Sequence, residues 1–271
     1  MRRFIVSAAA GLAFTTTGCG VSTQQEVEMG AQYATQINQQ LPIVQDPEIN
    51  RYINVLGDSI ARVTGRTDLD WQFFVVNSPE VNAFAVPGGF IYMNRGLIER
   101  AQNMSQVAGV LGHEIGHVTK RHSIDQMQKQ QGANIGLTLG CILAPSVCNN
   151  QAAGALINVG GSAVFARFSR QDETEADVEG VQYVTRAGID PRGIPGMFRI
   201  LLDERQARPA GVEAWFSTHP MEEDRIQNTE EQIAKISPAV LQSLTRDTQG
   251  FRAFQSRLKS LPAAPQQRPA R

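Results

Sequence analysis

The run SQVAGVLGHEIGHV at residues 105–118 decides how this chain is read, because it carries two patterns at once. Val107, Val110, Leu111, Ile115 and Val118 recur every three or four positions, the spacing of one apolar helical face. His113 and His117 stand four apart on the same helix, so both imidazoles lie on one face and converge on one metal ion. Glu114 is turned from His113 by about 100°. That puts it near the metal but off the ligand line, where it can take a proton from water there without replacing it. Gly112 and Gly116 each cost up to about 1 kcal/mol relative to Ala inside a helix. Residues that small leave room for a close neighbour, such as a second helix. The helix is expected to start at Ser105 and to run on to about Gln130.

A catalytic zinc site needs a third protein ligand. The chain has four histidines, at 113, 117, 122 and 219. His122 lies five positions past His117, which on a continuous helix turns it away from the ligand face, so a surface or hydrogen-bonding role is expected for it. Glu173-Thr174-Glu175-Ala176-Asp177 offers better donors. Glu173 and Asp177 share a face, and Ala176 beside them permits close helix approach. Glu173 can ligate the metal while Asp177 accepts the Nδ1 proton of a ligand histidine. Glu175 points elsewhere and reads as solvated, and Asp172 reads as charge at a helix N-terminus.

The rest of the chain frames this site. Two helices are expected before it, over Val27 to Leu41 and from Pro47 to about Val63. Trp71 to Val76, Asn82 to Val86 and Phe90 to Met93 read as short strands, the last two joined by Pro87-Gly88-Gly89. A short helix follows from Asn94 to Arg100, and further helices are expected over Ser169–Ala187, Gly193–Arg205 and Pro220 to about Ile236. Trp71 and Trp215 read as core or rim aromatics.

The first eighteen residues read as a secretory signal peptide. Arg2 and Arg3 precede an apolar run from Phe4 to Phe14, too short to span a membrane. Small residues then lead to Cys19, which reads as the lipid-bearing N-terminus of a mature lipoprotein; Thr16 stands where such sites usually carry Leu, so an ordinary signal-peptidase site stays open. Export makes Cys141 and Cys148 a candidate disulfide, with two small buried hydrophobes as the alternative. They sit in a Gly- and Ala-rich, nearly uncharged segment at 132–166, which suits a pair of apolar helices or a flap. The domain is expected over 19–260, with a disordered tail at 261–271 rich in Pro and Gln. A net charge of -1, from 25 basic and 26 acidic residues, argues against a nucleic-acid partner.

H-E-x-x-H followed some 50 to 60 residues later by E-x-x-A-D resembles the gluzincin metallopeptidases of the CAAX-prenyl-protease and HtpX-like family, nearest its periplasmic lipoprotein branch. Residues 82–89, Gly96-Leu97-Ile98, Ser169-Arg170 and Ser217-Thr218-His219-Pro220 with Arg225 fall in the same order. The resemblance implies an α+β, mainly helical domain with a small sheet and an H-E-x-x-H active-site helix. It implies one zinc ion per chain on His113, His117 and Glu173, with Glu114 as catalytic base. His219 matches a histidine that either stabilises the reaction oxyanion or caps the zinc, and Arg225 an arginine beside the site. Asn82, Ala83, Phe84 and Ala85 would form the edge to which an extended substrate adds as a further strand. The implied activity is that of a zinc metalloendopeptidase in the periplasm, lipid-anchored to the outer membrane, acting on unfolded or misassembled envelope proteins. The alternative is a chaperone-like assembly lipoprotein whose zinc is capped by His219 and mainly structural.

Overall fold

Alternation along three short strands sets the layers of the molecule. The computed structural model describes residues 20–133, 167–209, 212–220 and 223–262. β1 (Gln72–Val76), β2 (Ala83–Val86) and β3 (Phe90–Asn94) form a mixed sheet in the order β1-β3-β2, β1 parallel and β2 antiparallel to β3. Phe73, Val75, Ala83, Ala85, Ile91 and Met93 turn to one face and join the main core. Phe74, Val76, Phe84, Val86, Phe90 and Tyr92 turn to the other, as a period of two requires. Helix α1 (Thr23–Gln40) covers this second face with Tyr33, Ala34 and Ile37. The register stacks Phe74 and Phe84 on Tyr92, each pair 4.8 Å apart and nearly parallel. Covered on both faces, the strands read as near-continuous apolar runs. Gly88 and Gly89 turn β2 into β3 at φ 85° and 97°, a region that side chains disfavour.

The main-core face carries α2 (Pro47–Ala61), capped by Asp46 with Pro47 in its first turn, and α4 (Met104–Thr119), which follows the short α3 (Arg95–Arg100). Every residue of α4 from Met104 to Val118 is buried, so this helix is enclosed on all sides, its polar site residues included. Against it lies α6 (Arg170–Arg186), which starts at a capping box: the Ser169 hydroxyl accepts from the Asp172 amide and the Asp172 carboxylate from the Ser169 amide. The two backbones nearly touch. A Cβ on Gly116 would stand 2.9 Å from the Ala176 carbonyl oxygen, and one on Gly180 3.2 Å from the His113 amide nitrogen. The expected close approach at Gly112, Gly116 and Ala176 is therefore present.

The helix expected over 105–130 is two helices. It stops at Thr119, Arg121 takes the left-handed φ of 60°, and α5 (His122–Ala133) leaves in a new direction. After α7 (Gly193–Ala207), the helix expected from Pro220 is α9 (Glu223–Ala234), and three helices are absent from the sequence reading: α8 (Glu213–Thr218) before it, then α10 (Pro238–Ser243) and α11 (Gln249–Lys259). Phe254 of α11 stacks on Tyr52 of α2 at 4.5 Å, and Arg95 donates to the Leu261 and Pro262 carbonyls. The proposed signal peptide, Cys19, Cys141, Cys148, nearly all of the apolar segment and residues 263–271 lie outside the described residues.

Gly116→Val places two methyl groups where the Ala176 backbone already stands. It is expected to destabilise the fold by about 1–3 kcal/mol, read as a lower urea midpoint at unchanged slope.

Candidate metal centre

Three elements deliver the site. α4 brings His113, Glu114 and His117, α6 brings Glu173 and Asp177, and His219 closes α8 as its C-terminal cap residue. His113 Nε2 and His117 Nε2 are 3.1 Å apart, and Glu173 Oε1 lies 3.4 Å from His117 Nε2. His219 Nδ1 is 3.0 Å from Glu173 Oε1 and 3.4 Å from His113 Nε2. One donor atom from each of these four buried residues falls within 4.8 Å of all the others. A carboxylate and three imidazoles crowded together in the interior are the donor types that zinc takes. This buried group is compatible with one zinc ion.

Its surroundings orient the donors. His113 Nδ1 lies 2.8 Å from Asp177 Oδ1, the arrangement expected for a ligand histidine and its carboxylate. Arg225 of α9 forms a two-pronged pair with Asp177 at 2.8 and 2.9 Å and also pairs closely with Glu173. Its guanidinium rests over the Phe198 ring at 4.7 Å. Burial pushes the Glu173 and Asp177 carboxyls up, but Arg225 and the facing histidines outweigh it and hold both below their ordinary ranges, Glu173 well below.

Glu114 stands apart from this neutralised group. Burial raises its carboxyl above the ordinary glutamate range, and the charges of His219 and His113 offset this only in part. Neither of its oxygens makes a well-formed hydrogen bond among the described residues, and His219 Nε2 is 3.5 Å from Oε1. Burial drives His117 well below the ordinary imidazole range. Burial works the same way on His219, but Glu173 and Glu114 prevail and raise it.

Two side chains, His122 and Glu175, sit differently from their sequence reading, while Trp215 takes the core place read for it. His122 does not turn away: it is buried, and its Nδ1 meets His117 Nδ1 at 2.9 Å, because the break at Arg121 swings it back. Glu175 is 40% exposed but lies 3.5 Å from His122 rather than free in solvent. Trp215 is fully buried and stacks on His219 at 4.5 Å, while Phe168, which the sequence left unmarked, stacks on His117 at 3.9 Å. Ala83, Phe84 and Ala85 lie on β2, which has one strand neighbour among the described residues and packs beside α4. Asn82 immediately precedes it.

A histidine pair one turn apart on a buried helix, with a glutamate from a second helix, is the construction of an H-E-x-x-H metallopeptidase domain. Residues 47–233 match peptidase family M48, and the chain belongs to that family. It is 34% identical over 237 residues to the beta-barrel assembly-enhancing protease of Escherichia coli K12, covering 84% of this chain and 48% of the relative. The putative beta-barrel assembly-enhancing protease of Vibrio cholerae is 31% identical over 235 residues, 84% of this chain and 48% of its own length. The mitochondrial metalloendopeptidase OMA1 of Schizosaccharomyces pombe is 29% identical over 180 residues, 66% of this chain and 52% of its own. The chain thus spans about half the length of these relatives.

Arg225→Ala leaves two buried carboxylates without their cation and is expected to cost about 3–5 kcal/mol at neutral pH, read by urea unfolding in the presence of a chelator. Groups whose folded pKa is depressed stabilise above their unfolded range and stop doing so as pH falls through the folded value. The difference between wild type and variant should therefore shrink below about pH 4.

Proposed function

We propose that this protein is a zinc-dependent metalloendopeptidase of the bacterial cell envelope that cleaves misfolded or mis-assembled envelope proteins. The observation that carries the reading is the buried Glu114 carboxyl, without a well-formed hydrogen bond among the described residues and held above the ordinary glutamate range, beside a compact group of metal donors. His113, His117 and Glu173 would hold the zinc. Bound there, zinc polarises the scissile carbonyl and acidifies water. Glu114 takes the proton from the attacking water and returns it to the leaving amine nitrogen. Its raised affinity for a proton suits both halves of that task.

His219 is assigned a capping role. Its Nδ1 points into the same space as the other three donors, which completes a four-donor set of the kind found in closed sites. Substrate would displace it, and the freed imidazole would then lie within reach of the developing oxyanion. An extended peptide would add as a further strand beside Asn82 to Ala85 through its backbone, and so bring its carbonyl toward Glu114. The names of the relatives, a beta-barrel assembly-enhancing protease among them, support envelope proteins as substrates. Export and lipid anchoring at Cys19, after a signal peptide at 1–18, would place the domain at 19–260 on the periplasmic face of the outer membrane. Among the described residues no helix is long and apolar enough to cross a membrane.

Cleavage of casein by the zinc-loaded protein tests this reading. Glu114→Gln is expected to bind zinc like the wild type and to lose at least about 10²-fold in turnover; ordinary turnover by that variant would sink the assignment of the base. Stripping zinc with a chelator should abolish cleavage, and adding it back should restore it. His219→Ala should raise turnover several-fold as a lost cap, whereas a fall would make the imidazole a catalytic group.

A further inference from the structure

His117 has a second ring nitrogen, and the proposed chemistry leaves it unused. Its Nε2 faces His113 and Glu173, so its Nδ1 points the opposite way, into the 2.9 Å contact with His122 Nδ1. His122 is 3% exposed, and its own Nε2 faces Glu175 Oε2 at 3.5 Å and Asp172 Oδ1 at 4.0 Å. Two nitrogens in contact need one proton between them. A His117 whose Nε2 lone pair is turned to a metal carries its proton on Nδ1 and donates it to His122. His122 is then the tautomer protonated on Nε2, the nitrogen that faces the carboxylates. The first donor in this series meets its acceptor at 2.9 Å, and the second faces carboxylates at 3.5 and 4.0 Å without a formed hydrogen bond.

The turn that makes this possible is held from outside the metal helix. Arg121 is the one non-glycine residue at positive φ among the described residues. Its Nε lies 2.9 Å from Glu26 Oε2, and its Nη2 donates to the Val21 carbonyl at 2.6 Å. Glu26 is 1% exposed and also faces Arg66 at 3.6 Å. The start of α1 therefore clamps the corner from which His122 reaches back.

We infer that His122 is a positioning residue of the metal centre: it accepts the Nδ1 proton of His117, donates from Nε2 toward Glu175 and Asp172, and so fixes the His117 Nε2 lone pair on the metal. The inference rests on the zinc-ligand reading of His117 proposed above. The two histidine ligands are then oriented by unlike means, His113 by the Asp177 carboxylate directly and His117 through a neutral ring.

The test measures zinc affinity by competition with a chromophoric chelator in the full chain. It compares wild type with His122→Leu, His122→Asn, His122→Gln and, as reference, His113→Ala. Asn carries an acceptor where Nδ1 stands and Gln carries one where Nε2 stands. Loss of an outer hydrogen-bond partner of a ligand histidine weakens metal binding about 10- to 100-fold, and this is expected for His122→Leu and His122→Gln, with most of it recovered in His122→Asn. The cobalt(II)-loaded Asn variant should keep the wild-type visible spectrum. Should the Leu variant not fold, the contrast of Asn with Gln carries the result. Wild-type zinc affinity in His122→Gln, or equal losses in Asn and Gln, would overturn the inference. A wild type that binds no zinc, or binds it as well with His113→Ala, would instead bring down the metal reading and this inference with it.

Discussion

The contact on which the rest depends is the meeting of two helix backbones at Gly112, Gly116 and Gly180, with Ala176 and Val184 facing the glycines of α4. An imidazole extends only a few ångströms from its helix axis, and a glutamate little further. For His113, His117 and Glu173 to share one point, α4 and α6 must run closer together than larger side chains allow. The glycines cost helix propensity, and the return appears as ligand atoms that converge with every side chain in a short reach. The same proximity sets Asp177 against His113 and brings Arg225 within range of both Glu173 and Asp177.

Charge in this interior is arranged unevenly. Arg225 serves Glu173 and Asp177, which stay ionised despite burial, while Glu114 faces histidines and no permanent cation. Two carboxylates are thereby fixed as anions and a third is left easy to protonate, within one small volume. The aromatic walls complete the separation. Trp215 lies on His219 and Phe168 on His117, so two rings of the donor group are each packed on a flat side.

The metal helix, the carboxylate helix and the alternation of the strands were legible in the sequence because each is a local pattern with a fixed period. His113, Glu114, His117, Glu173 and Asp177 fall where helical spacing puts them. His122 was not legible for the same reason: extrapolating a helix past Thr119 rotates it away, and nothing in Lys120-Arg121 announces a left-handed residue whose support is Glu26, nearly a hundred positions earlier. Glu175 was misread with it, since its partner had been placed elsewhere. The terminal helix α11 had a readable signature in Thr248 as cap and in Phe251, Phe254 and Leu258 at helical spacing. Its place against α2 and α3 depends on distant contacts such as Arg257 with Asp46, which no local pattern encodes.

The sheet is roofed by α1 on one side and by the core on the other, and all four side chains of β2 are turned inward and buried. Along this edge strand there is almost no side-chain surface to read. A strand that lies along such an edge is recognised by whether its own amides and carbonyls are unspent, since the ladder is indifferent to residue identity. In a finished native domain those groups are already paired. Under the strand addition proposed above, selection would fall on conformational completeness, and no consensus cleavage sequence would be needed to spare a well-folded neighbour.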